Sequence, residues 1–254
     1  MQLYAQFSDN YIWLIRSEEY SSRVIVVDPG EAEPVVDKLN RLSLIPVAIF
    51  ITHGCHDHID GISDLLALYD IPVYGSTIEH IPGLSHPVIE GDVINISGVE
   101  RPFKVLDTPG HTAGHITYYG DGEVFCGDTL FGAGCGRIFN STPEQLYSSL
   151  QKIATLPDST LIYCSHEYTL KNLNFAAKIE PYNAAIQSRL KSAYKVQIEG
   201  KPTVPSTLLL EKATNPFLRC HTPEVVAAAE AFAGKRLSTD KEVFVVLRFW
   251  KDTQ

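Results

Sequence analysis

The sequence predicts a layered α/β domain followed by a smaller, mainly helical region. Up to about residue 168, short apolar runs typical of buried strands alternate with segments of helical spacing. Beyond that point the patterns favour helices. Of the 254 residues, 44% are hydrophobic, so the chain can bury a substantial core. We therefore expect one domain at residues 1–168 and another at residues 169–254.

The predicted elements of the first domain follow from local patterns. Strands are predicted at the apolar runs 11–15, 24–27, 47–51, 103–106, 115–119, 124–126 and 160–163. Helices are predicted at residues 31–39, 60–69 and 143–155. The last of these has Thr142 as its N-cap and Pro143 at its first position. Strands with helices outside them fit a layered α/β domain.

The second domain is predicted without strands. Helical spacing occurs at residues 171–179, 183–196 and 223–233. The final segment, residues 241–251, is ambiguous because the apolar run 243–247 could also form a strand. We expect a helix there.

Composition disfavours several classes of function. The formal net charge of −9 disfavours nucleic-acid binding, which requires a basic face. No apolar run approaches the roughly 18 residues of a membrane span, and the N-terminal residues resemble no secretory signal. The five cysteines are scattered, which is typical of a reducing cytoplasm. We expect four of them to be small core residues: Cys126, Cys135, Cys164 and Cys220.

The densest group of potential metal ligands follows the predicted strand 47–51. Five such residues occupy six consecutive positions: His53, Cys55, His56, Asp57 and His58. A strand that ends in this cluster delivers imidazole, thiol and carboxylate groups to one rim of a sheet. A transition metal is the simplest way to satisfy them together.

Three further candidates also follow predicted strands. They are His111, Asp128 and His166, and tight glycine turns precede the first two. We expect all four clusters to converge. The isolated histidines lack neighbours of this kind and are expected to have no function: His80, His86 and His221.

The segment Thr52–His58, followed by single His, Asp and His residues, resembles the signature of the metallo-β-lactamase superfamily. Within it, the chain resembles glyoxalase II, the hydroxyacylglutathione hydrolases, over essentially its whole length. The motifs that carry this resemblance lie at residues 9–13, 27–30, 108–115, 127–131, 134–137, 166–169, 215–217 and 247–252. The resemblance implies an αββα sandwich with a smaller C-terminal helical domain that binds the glutathione part of the substrate.

The resemblance also implies two divalent metal ions. The first would be held by His53, the residue at position 55, and His111. The second would be held by Asp57, His58 and His166, with Asp128 bridging the two. Zinc is the expected metal, with iron or manganese as alternatives. Asp57 or Asp128 would orient the attacking hydroxide and handle its proton, so both are candidate catalytic residues. Asp28 is a candidate to orient a ligand imidazole.

The chain departs from its family at position 55, where the family has His. In one interpretation Cys55 binds the metal as a thiolate, since a Zn–S bond of about 2.3 Å is longer than a Zn–N bond. In a second, Cys55 stays uncoordinated and the first site is weak, empty or completed by water. In a third, His56 takes its place, although a shift of one residue points the side chain elsewhere.

The implied reaction is hydrolysis of an S-2-hydroxyacylglutathione, chiefly S-lactoylglutathione, to a 2-hydroxy acid and glutathione, a step in methylglyoxal detoxification. Glutathione carries two carboxylates, and the family match places cations there: Arg137, Arg248 and Lys251. Tyr168 would donate a hydroxyl. Phe139 stands where some relatives have Tyr, which removes one hydrogen bond.

Two alternatives remain. One is another enzyme of the superfamily, either a β-lactamase or a glutathione persulfide dioxygenase. The other is a catalytically impaired protein that binds glutathione conjugates, because Cys55 replaces a His ligand. We expect a cytoplasmic monomer that acts on a small glutathione thioester and contacts neither nucleic acid nor membrane.

Overall fold

The computed structural model describes residues 3–7, 9–16 and 21–254, and it confirms most of the predicted strands and helices. The chain divides into two compact units. The first comprises Met1–Asp107 and Ala113–Gly127, and the second comprises Thr108–Thr112 and Asp128–Gln254. The predicted domain boundary between residues 168 and 169 stays a prediction.

A mixed sheet forms one layer of the first unit. Its strands lie side by side in chain order: β1 Leu3–Phe7, β2 Asn10–Ile15, β3 Arg23–Val27, β4 Ile45–Phe50, β5 Val73–Gly75 and β6 His86–Pro87. The first three strands run antiparallel, and β3 to β6 run parallel. The parallel strands β4 and β5 need a crossover between them, and a helical segment supplies it.

The described residues of the first unit form three helices: α1 Glu33–Leu42, α2 His56–Ile59 and α3 Ile62–Leu68. Alternate strand residues such as Leu14, Val26 and Ile49 form a core cluster with Leu39 of α1 and Leu65 of α3. The period of two in a strand directs these side chains to one face, so α1 and α3 cover that face. The four-residue α2 was not predicted, because it is too short to show periodicity.

A second, antiparallel sheet packs against the other face. Its strands in the first unit are β7 Val93–Ile96, β8 Val99–Asp107, β9 Ile116–Gly120 and β10 Glu123–Gly127. Phe50 of β4 stacks on Tyr118 of β9, with ring centroids 4.4 Å apart, and meets Phe103 of β8 edge-on at 5.3 Å. The Tyr118 hydroxyl donates to the carbonyl of Ile51 at 2.9 Å. Two sheets thus face each other across an aromatic core.

The second unit is rich in helices. Its strands are β11 Leu130–Phe131, β12 Gly134–Cys135, β13 Leu161–Cys164 and β14 Ser206–Thr207. Its α-helices are α4 Pro143–Ala154, α5 Thr169–Ile179, α6 Ala184–Ile198, α7 Leu208–Thr214, α8 Pro223–Ala233 and α9 Asp240–Asp252. Thr142 caps α4 as predicted, in a capping box with Gln145.

The expectation that strands end at Tyr168 was wrong. The two-residue strand β14 pairs antiparallel with β13, and α7 follows it directly. On α7, the buried carboxylate of Glu211 accepts hydrogen bonds from Arg189 and Ser206, both at 2.5 Å, and from the Ala133 amide at 2.8 Å. Such a short strand has no sequence periodicity. Its Ser206 binds Glu211, which Arg189 and the Ala133 amide hold in place.

The final segment is a helix, as expected. Thr239 and Glu242 form a capping box at the start of α9. Val243, Phe244 and Leu247 are buried on one face at helical spacing. The cap and this spacing decide between the two readings of the apolar run.

Other expectations about burial also hold. All four cysteines predicted to lie in the core are buried: Cys126, Cys135, Cys164 and Cys220. Burial raises the pKa of the Cys164 thiol to about 12, so this group is inert as a nucleophile.

Among the described residues, none of the helices combines the length and apolarity that crossing a bilayer would require.

Phe50 should be a main contributor to the stability of the first unit. Replacing it by Ala removes a fully buried ring from between the two sheets. We expect Phe50→Ala to lower the free energy of unfolding by about 3–5 kcal/mol, measured by urea denaturation. Phe249→Ala is the matched control, because Phe249 is largely exposed. Equal effects of the two variants would contradict the packing described here.

Candidate metal centre

The loop after β4 positions the first set of candidate ligands. His53 lies in this loop and is 0% exposed, while α2 begins after Cys55 and buries His58 to 1% exposure. The Asp57 side chain is 42% exposed, and Cys55 is half-buried. The end of a buried strand followed by one helical turn therefore presents imidazole, thiol and carboxylate groups within a few residues.

Within the first unit, these side chains lie close enough to one another to bind a common metal ion. The ligand atoms of His53 and Cys55, of His53 and His58, and of Asp57 and His58 lie within 4.8 Å of each other. The rings of His53 and His58 are 4.1 Å apart between centroids. Nitrogen, sulfur and oxygen donors at such spacing suit a divalent transition metal.

The buried carboxylate of Asp28 orients both imidazoles of this set. Its Oδ1 accepts the Thr52 amide at 2.8 Å, and its Oδ2 accepts the Thr52 hydroxyl at 2.7 Å. Asp28 Oδ2 also lies 3.1 Å from His58 Nδ1. The Thr52 oxygen in turn lies 3.0 Å from His53 Nδ1. Both rings therefore have Nδ1 directed towards this network and Nε2 on the opposite side.

Asn10 and Gly30 hold Asp57. The side-chain amide of Asn10 donates to the Asp57 carbonyl at 3.0 Å and to its Oδ2 at 3.1 Å. A Cβ atom on Gly30 would lie 2.0 Å from the Asp57 carbonyl oxygen, so only glycine fits there. The carboxylate of Asp57 is therefore fixed, with Oδ2 3.6 Å from His58 Nε2.

His56 points away from this set. Its side chain is 93% exposed, and its Nδ1 lies 3.0 Å from Asp60 Oδ1 one helical turn later. This orientation disfavours the interpretation in which His56 takes the place of residue 55 as a ligand.

The second unit carries the remaining candidates around one carboxylate. Asp128 Oδ2 lies 3.4 Å from His111 Nε2, and Asp128 Oδ1 lies 3.4 Å from His166 Nε2. All three side chains are buried. The two oxygens of a single carboxylate thus face two different imidazoles, which is compatible with a carboxylate that bridges two ions.

The segment after β12 orients this second set. His111 Nδ1 donates to the Arg137 carbonyl at 2.8 Å; because a carbonyl only accepts, this nitrogen carries the hydrogen and Nε2 carries the lone pair. A Cβ atom on Gly136 would lie 2.0 Å from the Asp128 carbonyl oxygen, which requires glycine there. The His166 ring stacks on Tyr168, with centroids 4.7 Å apart and planes at 1°.

The predicted substrate residues of the second unit differ in accessibility. The Arg137 side chain is 68% exposed, with Nε 3.9 Å from Asp252 Oδ1. Arg248 is only 4% exposed. Its Nη1 donates to the carbonyls of Cys135 at 3.0 Å and Gly136 at 3.3 Å, and its Nη2 donates to Asp252 at 2.9 Å. Arg248 therefore holds the segment that leads to Arg137.

Lys251 lies one turn after Arg248 on α9, and its ammonium is 4.8 Å from the centroid of the Phe175 ring. Burial lowers the pKa of Lys251 from 10.5 to about 8. The cations Arg248, Lys171 and Lys178 lower it further, while the Cys135 thiol acts in the opposite direction. A group of cations in an acidic chain is a suitable receptor for an anionic ligand.

Some residues of the site were not recognised in the sequence. Glu79 accepts the Gly54 amide at 3.0 Å and the Gly114 amide at 2.8 Å, so one carboxylate joins two loops of the first unit. The buried ring of His115 stacks on His53, with centroids 4.8 Å apart. His115 could have been found from its place in the motif at residues 108–115, whereas Glu79 stands in no motif.

Two families match the chain. The family described as "Metallo-beta-lactamase superfamily" matches residues 6–166. The family described as "Hydroxyacylglutathione hydrolase C-terminus" matches residues 167–254. These matches confirm the predicted fold class, and together with the histidine, aspartate and cysteine groups they support the binding of divalent metal.

Similar proteins cover nearly the whole chain. The hydroxyacylglutathione hydrolase of Alkalilimnicola ehrlichii is 50% identical over 246 residues, covering 97% of this chain and 96% of that protein. Those of Aeromonas hydrophila and Nitrosomonas europaea are 49% and 45% identical, and each covers 97% of this chain, with 96% and 93% of their own lengths.

Solved structures share the fold. ETHE1 from Myxococcus xanthus superposes with a TM-score of 0.67 at 26% identity, covering 97% of this chain and 88% of its own. The protein TTHA1623 in a di-iron-bound form superposes with a TM-score of 0.55 at 27% identity, covering 65% of this chain and 91% of its own. On the strength of its sequence relatives and family matches, this chain belongs to the hydroxyacylglutathione hydrolases, enzymes of the metallo-β-lactamase superfamily.

Proposed function

We propose that the chain hydrolyses the thioester of an S-2-hydroxyacylglutathione, with S-lactoylglutathione as the leading substrate, to a 2-hydroxy acid and glutathione. This reaction would serve methylglyoxal detoxification. The observation that carries the proposal is Asp128, whose two carboxylate oxygens each lie 3.4 Å from an imidazole nitrogen. The relatives named hydroxyacylglutathione hydrolase support the choice of substrate.

We propose that the site takes two divalent metal ions. The first would be held by His53, Cys55 and His111, and the second by Asp57, His58 and His166, with Asp128 bridging. The proposal is supported by the donor types and by ring orientations within each unit. Nε2 of His53 and of His58 lies opposite the Asp28 network, and Nε2 of His111 faces Asp128. A thiolate among the donors favours zinc, with iron and manganese as alternatives.

The metals would lower the pKa of water and polarise the thioester carbonyl. The protein contributes fixed groups around them. Asn10 holds the Asp57 carboxylate in one orientation, so that it can orient the attacking water and accept its proton. Water adds to the carbonyl carbon, the C–S bond breaks, and glutathione leaves with a proton.

We propose that cations of the second unit receive the glutathione carboxylates. Arg137 is exposed and Lys251 is half-buried among other cations, so both can meet an anion. Tyr168, which is fixed against His166, would donate its hydroxyl. The buried Arg248 would add positive charge and hold the carbonyls of residues 135 and 136. Phe139 is exposed and offers no hydrogen bond.

Cys55 stands where the resemblance to the family implies His. A thiolate in place of a neutral imidazole makes the centre less positive by one unit of charge, and a less positive centre acidifies water less. We propose that Cys55 is a ligand and that it reduces turnover and alters metal preference.

We further propose that the protein is a cytoplasmic monomer that binds no nucleic acid.

Asp128→Asn should remove most of the activity. The amide cannot bridge two cations as a carboxylate does, so we expect kcat to fall by more than the roughly 10–100-fold typical of groups that only orient ligands. Loss of thioester absorbance measures the rate, and elemental analysis measures the metal content. Asp64→Asn, on the exposed face of α3, is the matched control.

Other outcomes would identify a rival function. Unchanged metal content and rate in Asp128→Asn would contradict the proposed site. Tight binding of the thioester without turnover by the native chain would favour a glutathione-conjugate binder. Oxygen uptake on addition of glutathione persulfide would favour the dioxygenase.

Cys55→His should raise turnover. Restoring a neutral ligand makes the centre more positive, and we expect kcat to increase by roughly 10-fold, which corresponds to about 1.4 kcal/mol of barrier. Metal identity and content are measured on the same preparations. If metal content and rate both stay the same, Cys55 does not bind the metal. Cys126→Ser is a control for general loss of a thiol.

Substrate affinity should weaken at alkaline pH because of Lys251. Its pKa is lowered to about 8, so the ammonium is charged below that pH and neutral above it. We expect the KM for S-lactoylglutathione to rise by about 10-fold between roughly pH 7 and pH 10, the scale of one hydrogen bond to a charged group. Lys251→Arg, which stays charged, should abolish this rise. An equal rise in both proteins would exclude Lys251 as its source.

A further inference from the structure

We propose that Thr52 is a positioning residue that sets the tautomer of His53. Its hydroxyl would connect Asp28 to this candidate ligand of the first metal site. Asp28 would then govern one imidazole of each proposed metal site through two separate routes. The inference deepens the proposed function and rests on it for the metals, but the hydrogen-bond arrangement is a property of the metal-free chain.

The first step concerns the single hydroxyl hydrogen of Thr52. Thr52 is 1% exposed and Asp28 is 3% exposed, so solvent does not compete for their hydrogen bonds. A carboxylate only accepts, and Asp28 Oδ2 lies 2.7 Å from the Thr52 oxygen. The hydroxyl hydrogen therefore points to Asp28.

The second step follows for His53. Its Nδ1 lies 3.0 Å from the same Thr52 oxygen, whose only hydrogen is already donated to Asp28. The oxygen can only accept here, so Nδ1 carries the hydrogen and Nε2 carries the lone pair. That is the tautomer in which Nε2 can bind a metal. A neighbouring hydroxyl, rather than a carboxylate or a carbonyl, thus fixes this imidazole.

The two imidazoles approach Asp28 by different routes. His58 Nδ1 lies 3.1 Å from Asp28 Oδ2, with no threonine between them. Removing the Thr52 hydroxyl should therefore release His53 and leave His58 in place, whereas changing Asp28 should disturb both.

The backbone makes Asp28 a suitable anchor. Its φ of 50° lies in the left-handed region, which Asp and Asn tolerate better than most residues. Its amide donates to the Phe50 carbonyl at 3.0 Å, which ties it to the end of β4. Asp28→Asn can therefore keep this conformation while it loses the negative charge.

The test compares Thr52→Val, Thr52→Ser and Asp28→Asn with the native chain. Valine keeps the shape of threonine without the hydroxyl, and serine keeps the hydroxyl. Long-range ¹H–¹⁵N spectra of the metal-free proteins report the tautomer of each histidine. We expect the Nδ1–H form for His53 in the native chain and in Thr52→Ser, and its loss in Thr52→Val with His58 unchanged. A native His53 protonated on Nε2, or an unchanged tautomer in Thr52→Val, would overturn the inference.

Chelator competition with zinc gives a second readout. We expect Thr52→Val to weaken one of two bound ions by about 10–100-fold and Asp28→Asn to weaken both. Equal weakening of both ions by Thr52→Val would contradict the separate routes. If the native chain binds no metal but the tautomers behave as stated, the proposed function fails while the role of Thr52 stands.

Discussion

The carboxylate of Asp28 is the interaction on which the arrangement of the first ligand set depends. It is buried at the end of a strand, accepts the amide and the hydroxyl of Thr52, and lies within 3.1 Å of His58. A buried charge without such partners would be strongly unfavourable. The same contacts that satisfy the carboxylate therefore fix the loop that carries His53.

The second ligand set is organised by a different principle. Asp128 meets His111 and His166 directly, and the backbone carbonyl of Arg137 holds His111 from behind. Gly136 lets the chain pass against the Asp128 carbonyl. Side-chain networks thus organise the first set, and a tight backbone segment organises the second. In each set, Nδ1 of a histidine contacts its supporting group, which leaves Nε2 as the candidate donor to a metal.

Three candidate substrate-binding cations lie in the second unit despite the overall acidity of the chain. The net charge of −9 gives no hint of a cationic site, yet Arg137, Arg248 and Lys251 belong to the same unit. Their surroundings give them different tasks. Arg248 donates hydrogen bonds to backbone carbonyls and to Asp252. Lys251, in contrast, lies among other cations, and its pKa is lowered.

Local pattern was enough to predict seven of the described strands (β2, β3, β4, β8, β9, β10 and β13), most helices and the types of candidate ligand, but not the remaining, mostly shorter strands. The cluster at residues 53–58 could be identified because imidazole, thiol and carboxylate groups stand next to one another after an apolar run. The family could be recognised for the same reason, since its motifs are short and contiguous.

Local pattern could not predict contacts between residues that are distant in sequence. Asp28 contacts Thr52, and Glu79 contacts Gly54 and Gly114. Glu211 contacts Arg189 and the Ala133 amide. All these partners are more than twenty positions apart, where no periodicity links them. Sequence also could not reveal that Arg248 is buried, because the carbonyls it meets lie more than a hundred positions away. Residue type and order determine which chemistry is available, and only the folded chain decides which atom each group faces.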